Sequence, residues 1–144
     1  MREQVIERIE KEKLIAIVRG VSADQCSKVA NALYAGGVRL MEITYNQKDP
    51  ASWQQTAEAI GALTEEFGGK MLFGAGTVTN VELVELTHAH GGKYIISPDT
   101  NVDVIKRTVE LGMVSLPGAM TPTEVMTAHA AGADFVKLFP AGDL

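Results

Sequence analysis

Lys137 stands inside the run DFVKLFPAG (134 to 142), flanked by Phe135, Val136, Leu138 and Phe139. A lysine in such surroundings loses solvation, which disfavours the ammonium and favours the neutral amine that attacks a carbonyl carbon. That chemistry marks Lys137 as a candidate Schiff-base former. The same residues also fit an edge-strand lysine whose stem packs while its head reaches water. Glu42, between Met41 and Ile43 in LMEITYN (40 to 46), poses the matching question. A carboxylate in an apolar strand must be paired, or must titrate as an acid or base. Arg19 and Lys137 are the cations available to it, and such a pair serves a structural or a catalytic role equally well.

Other polar residues carry weaker signals. GAGT (74 to 77) lacks the GxGxxG and Walker spacings and reads as a tight strand-to-helix turn with close backbone approach. His88 and His90 are two residues apart and so do not share a helix face, and His129 lies in another helical segment. No metal-ligand spacing is visible, and neither a metal nor a cofactor is expected. Cys26 and Met126 read as core, Trp53 as packing on a helix, and Glu124 as a helix cap.

The elements that must position these residues follow a rhythm. Apolar runs at 14 to 20, 40 to 46, 71 to 78, 94 to 99, 114 to 119 and 134 to 142 recur every 20 to 30 residues, the length of a strand, a helix and two short loops. The intervening segments read as helices. Ser22 with Gln25, Thr79 with Glu82 and Thr121 with Glu124 have capping-box spacing, and Pro122 takes the favoured first helical position. Gly36, Gly68, Gly91, Gly112 and Gly132 each follow a helical segment, where a left-handed residue ends the helix. Val5, Ile6 and Ile9 predict one more helix ahead of the first strand. Strands buried on both faces and joined by helices imply a parallel α/β sheet, either doubly wound or closed into a barrel. In both, chemistry gathers at the carboxyl ends of the strands. That rule selects Arg19, Glu42, Thr44, Asn46, Gly74, Gly76, Thr77, Ser97, Pro98, Pro117, Gly118, Lys137, Phe139 and Pro140.

The totals narrow the function. With 144 residues, 46% of them hydrophobic and 22% charged, one globular domain over 1–144 is expected. A net charge of -5 without basic runs argues against nucleic acid as a partner. The charged N-terminal segment MREQVIERIEKEK has no signal-peptide core, and no stretch has the roughly 20 apolar residues of a membrane span. With a single cysteine, the expected location is the cytoplasm.

Taken in order, LIAIVRG, AGGVRLMEITYN, FGAGTVTN, ISPDTN, LPGAMTPTE and FVKLFPAG resemble the 2-keto-3-deoxy-6-phosphogluconate / 4-hydroxy-2-oxoglutarate (KDPG/KHG) aldolase family, from about residue 14 onward. The resemblance implies a class I aldolase on a (β/α)8 TIM barrel, usually a homotrimer. Such an enzyme cleaves 2-keto-3-deoxy sugar acids to pyruvate and an aldehyde without metal. It implies that Lys137 forms the imine and that Glu42 shuttles protons, through a water, to and from the C4 hydroxyl and the enamine. Gly76 and Thr77 in GAGT and Pro98 in ISP would contour the pyruvate site, with Phe139 beside the lysine. Some members carry a carboxylate-gripping arginine four residues after the glutamate; here that position is Asn46. Arg19, in a strand-one context similar to that of the phosphogalactonate aldolases, has the forked donors to replace it. The family barrel continues with two more strands and helices, whose loops hold the substrate phosphate. The expectation is therefore an incomplete barrel of about six parallel strands with an N-terminal helix: a fragment, the product of a premature stop, or a chain completed by oligomerising. Two rival readings stand beside the aldolase: a catalytically inactive fragment or assembly-only paralogue, and a phosphate-binding isomerase or decarboxylase in which Lys137 is only a charge partner.

Overall fold

The computed structural model describes residues 1–142. Helix α1 (Arg2–Glu12) precedes strand β1 (Ala16–Val18), and strands and helices then alternate through α2 (Ala23–Ala35), β2 (Leu40–Thr44), α3 (Trp53–Phe67), β3 (Leu72–Gly76), α4 (Val81–Ala89), β4 (Tyr94–Ile96) and α5 (Val102–Glu110). They end with β5 (Val114–Leu116), β6 (Gly118–Ala119), α6 (Pro122–Ala131) and β7 (Lys137–Leu138), and a short 3-10 turn, Pro50–Ser52, leads into α3. β1 to β5 form one parallel sheet in chain order, and β6 pairs in parallel with β7. The expected fifth strand is thus split. Pro117 has no N–H to give a ladder, so it separates β5 from β6, while its carbonyl accepts from Lys137 N at 2.8 Å.

The period-two alternation of each strand builds two cores. Met41, Ile43 and Tyr45, with Phe73, Ala75 and Ile95, face the helices and pack on Cys26, Ala30, Ala57, Ile60, Leu63 and Phe67. The opposite, inner face gathers Leu40, Tyr94, Ile96, Val114 and Leu116 around Val5 and Ile9 of α1, with Leu72 and Phe135 against them. Val5 and Ile9 lie one helical turn apart, and burying each contributes roughly 1.5–3 kcal/mol. Polar ties fix α1 as well. The Arg2 guanidinium pairs with Asp134 at 2.6 Å, and the same carboxylate accepts from Ser115 N at 2.9 Å.

Several local expectations shift by a residue. Thr121 and Glu124 form the full capping box with Pro122 at the helix start. Ser22 occupies the N-cap of α2 without a side-chain bond, and α4 is capped by Asn80, which accepts from Leu83 N, rather than by Thr79. Gly37, not Gly36, takes the left-handed conformation after α2. Met126 is 63% exposed on α6 and not core, whereas Cys26 is buried as expected. Ile17 on β1 and Leu138 on β7 are exposed, on strands that have one neighbour each. Among the described residues no helix is long and apolar enough to cross a membrane.

Candidate active site

β2 aims Leu40, Glu42 and Thr44 at the inner face, above the apolar layer that α1 closes. Glu42 is 3% exposed, and its Oε2 has no hydrogen-bond partner. Burial raises its pKa above the ordinary carboxyl value, while the charges of Lys137 and then Arg19 pull it back down. A buried carboxyl left without donors holds a proton more readily than one in water, which suits an acid–base group. The glycines opposite explain how it fits. In register with Glu42 lies Gly74, and with Thr44 lies Gly76. A Cβ on Gly76 would overlap Glu42 Oε2 and crowd Thr44 Cγ2, and one on Gly74 would overlap the ring of Tyr94. The close approach expected of GAGT is thus real, but within β3: Gly76 leaves the space in which the carboxyl sits, and Gly74 the space for the Tyr94 ring.

Lys137, on β7, lies near enough for its charge to act on Glu42. Its partner in register is Gly118, a position where a Cβ would collide with the carbonyl of Pro98, so that the bare glycine lets β6 close on the Pro98 turn. Lys137 is half-buried, its Nζ 4.4 Å from the centroid of the Phe139 ring, close enough for a cation–π contact. The apolar neighbours expected to dry the lysine do so only on one side. Phe135 packs into the inner core, whereas Leu138 and Phe139 are 55% and 41% exposed.

At the strand ends Arg19 donates to Thr77 Oγ1 at 3.2 Å. Thr77 has a left-handed backbone, φ 57°, a conformation that costs a non-glycine residue about 1–3 kcal/mol and persists only when the surroundings hold it. The holding residue is Gln47. Its Nε2 donates to the Thr77 carbonyl at 2.7 Å, and its Oε1 accepts from Thr79 Oγ1 at 2.9 Å. Asn46 lines a cavity of about 350 Å³ with Arg19, Thr44, Gln47, Lys48 and Thr77. Its Oδ1, however, accepts from Lys48 N at 3.0 Å, and its carbonyl from Trp53 Nε1 at 2.9 Å, so Asn46 shapes the loop as well as the cavity.

The structure thus gathers Glu42 on β2 and Gly76 on β3, Arg19 and Thr77 just past the ends of β1 and β3, Lys137 on β7 with Phe139 just beyond it, and Pro98 on the turn under β6. Gln47, Tyr94 and the Arg2–Asp134 pair were not singled out from sequence. Tyr94 alone had a legible signal, since its alternation with Ile96 puts a phenol on the inner face. Among the described residues no three His, Cys, Asp or Glu side chains come together where a metal could be held.

Known proteins share this pattern. The family described as KDPG and KHG aldolase matches residues 5–144. The chain is 37% identical over 131 residues to 2-dehydro-3-deoxy-6-phosphogalactonate aldolase of Escherichia coli K12, covering 91% of this chain and 61% of that protein. It superposes on a solved structure described as native KDPGal at TM-score 0.80 and 36% identity, covering 90% of this chain and 60% of that one. A KDPG aldolase from Legionella pneumophila, solved with pyruvate captured as a covalent carbinolamine intermediate, matches at TM-score 0.78 and 25% identity over 90% of this chain and 59% of that one. The chain therefore spans about three-fifths of the length of these relatives. The parallel strands, the glycines that seat Glu42 and the strand that carries Lys137 fall within the matched span, and the chain belongs to the KDPG and KHG aldolase family.

Proposed function

We propose that this chain carries the imine-forming site of a class I aldolase that cleaves a 2-keto-3-deoxy-6-phospho sugar acid, or 4-hydroxy-2-oxoglutarate, to pyruvate and an aldehyde. The observation that carries this reading is Glu42, buried with an unpartnered Oε2 on the face that Lys137 shares. The carbinolamine in the Legionella relative supports the same chemistry.

Lys137 Nζ, as the free amine, adds to the C2 carbonyl of the keto acid, and loss of water leaves a protonated imine. Glu42, as carboxylate, takes the proton of the C4 hydroxyl through a water. The C3–C4 bond then breaks, its electron pair flowing into the iminium to give an enamine while the C4 oxygen becomes the aldehyde carbonyl. The protonated Glu42 returns its proton to C3, and hydrolysis frees pyruvate and the amine. Arg19 grips the substrate carboxylate with forked donors. Gly76, Thr77 and Pro98 shape the pyruvate contour, Asn46 borders it, and Phe139 steadies the lysine. No cofactor is needed, because the electron sink is the imine itself. Family resemblance and the exposed edge strands support a homotrimer, and the single cysteine a cytoplasmic setting.

A second reading is an inactive, assembly-only chain. The exposure of Leu138 and Phe139 beside the lysine favours it, because water there competes for the amine and the imine. Incubation with pyruvate and borohydride, followed by intact mass and peptide mapping, separates the two. The aldolase reading expects a reduced pyruvate adduct on Lys137 that is lost in Lys137→Ala. A folded chain that gives no adduct overturns it in favour of the inactive reading, and an adduct retained in Lys137→Ala would show that another amine does the chemistry.

A further inference from the structure

We infer that Tyr94 is a positioning residue of this site: its ring, filling the space that Gly74 leaves open, is the floor that keeps water from the Glu42 carboxyl, and its hydroxyl holds the strand that bears it. The inference rests on the reading of Glu42 as proton carrier, but its consequence is visible in Glu42 itself.

Tyr94 is fully buried in the inner core. Its hydroxyl donates to the carbonyl of Met41, the peptide directly before Glu42, at 2.7 Å, and lies 3.2 Å from the carbonyl of Leu72. Its Cδ2 and Cε2 occupy the place where a Cβ on Gly74 would stand, and Gly74 is in register with Glu42. One side chain from β4 therefore passes beneath β3 and ends on β2. A phenol suits this span: its apolar body fills the hollow while its polar tip satisfies a carbonyl. The charged groups that act on Glu42 are Lys137 from β7 and Arg19 from β1, and both favour the carboxylate. Burial opposes them, and Tyr94 is the large side chain that supplies burial from below. Burial first, and then the Glu42 charge, hold the phenol well above its ordinary pKa, so Tyr94 stays a neutral donor.

Removal of the ring would change the solvent at the carboxyl. The space left would be bordered by Glu42, the Met41 carbonyl and the Leu72 carbonyl, and three polar partners are what a buried water needs. Loss of the hydroxyl alone leaves the floor in place.

The test titrates Glu42 in protein labelled with carbon-13 at the glutamate carboxyl, its signal assigned by disappearance in Glu42→Gln. In Tyr94→Leu the midpoint should fall by about one pH unit or more toward the ordinary carboxyl value. In Tyr94→Phe, which keeps the ring and should fold, it should stay within a few tenths of the unsubstituted protein. A midpoint unmoved in folded Tyr94→Leu overturns the inference, and so does a Phe variant that shifts by as much as one pH unit. Borohydride trapping on the same samples separates this inference from the function. Trapping with an unmoved midpoint sinks the role of Tyr94 alone, whereas a shifted midpoint without trapping in the unsubstituted chain sinks the aldolase reading and leaves the floor standing.

Discussion

A carboxyl with no donor is an expensive object to keep inside a protein, and Glu42 makes that cost measurable. Its folded pKa lies above its unfolded one, so in the pH window between the two the folded state binds more protons than the unfolded state. Stability therefore falls as pH rises through that window, and above it the full penalty applies. On the aldolase reading Glu42→Gln should abolish turnover, and it should stabilise the fold at neutral pH by roughly 0.5–2 kcal/mol, with the gain shrinking as pH falls through that window and gone below about pH 4. Denaturant unfolding at both pH values checks the sign: a variant less stable than the parent at neutral pH would refute it. Lys137 and Glu42 were legible in the sequence because a charge in an apolar strand is a local anomaly. Gly74 stood out only as a strand-end glycine and Tyr94 only as an inward-facing phenol; that one fills the space the other leaves acquires meaning only when β3 and β4 lie together.

At the scale of elements, the strand ends are tied by side chains that belong to the loops. Gln47 bridges the β2 loop to both Thr77 and Thr79, and Asn101 donates to the Thr79 carbonyl at 3.4 Å, so the loop after β3 is held from either side. Each such bond is worth about 1 kcal/mol net and Gln47→Ala removes two, so the variant should weaken pyruvate capture roughly thirtyfold, read as the pyruvate concentration for half-maximal trapping, with little change in melting temperature. An equal loss in both would make Gln47 a stabiliser and not a brace of the site. On the opposite side, Asp134 joins α1, β5 and the approach to β7. Its replacement in Asp134→Asn should cost roughly 1–3 kcal/mol in unfolding experiments, between an exposed pair and a buried one. Strand and helix order was readable from periodicity, and Thr121, Pro122 and Glu124 announced their helix outright. The split at Pro117 and the cap at Asn80 were less so, because neighbouring polar residues compete for one cap and only the ladder partner decides where a strand breaks.

For the whole molecule, the alternation of apolar runs and helices foretold a parallel α/β body with an added helix, and the two-layered core follows from it. The unpaired sides of β1 and β7 show the other half of the arithmetic. Ile17 and Leu138 stand exposed there, and open strand edges invite further strands. Association should therefore rise with concentration, and Ile17→Lys with Leu138→Lys should suppress it in sedimentation velocity; unchanged association in the double variant would place the contact elsewhere. The Arg2–Asp134 pair carries a different consequence, one of timing. Its partners are separated by 132 positions, so a ribosome adding 5–20 residues per second needs roughly 7 to 26 s between them. Throughout that interval Val5 and Ile9 of α1 have no finished inner face to enter. α1 is made before every strand that covers it and is among the last of these elements to dock, so until then the nascent chain offers a short apolar stripe to whatever it meets.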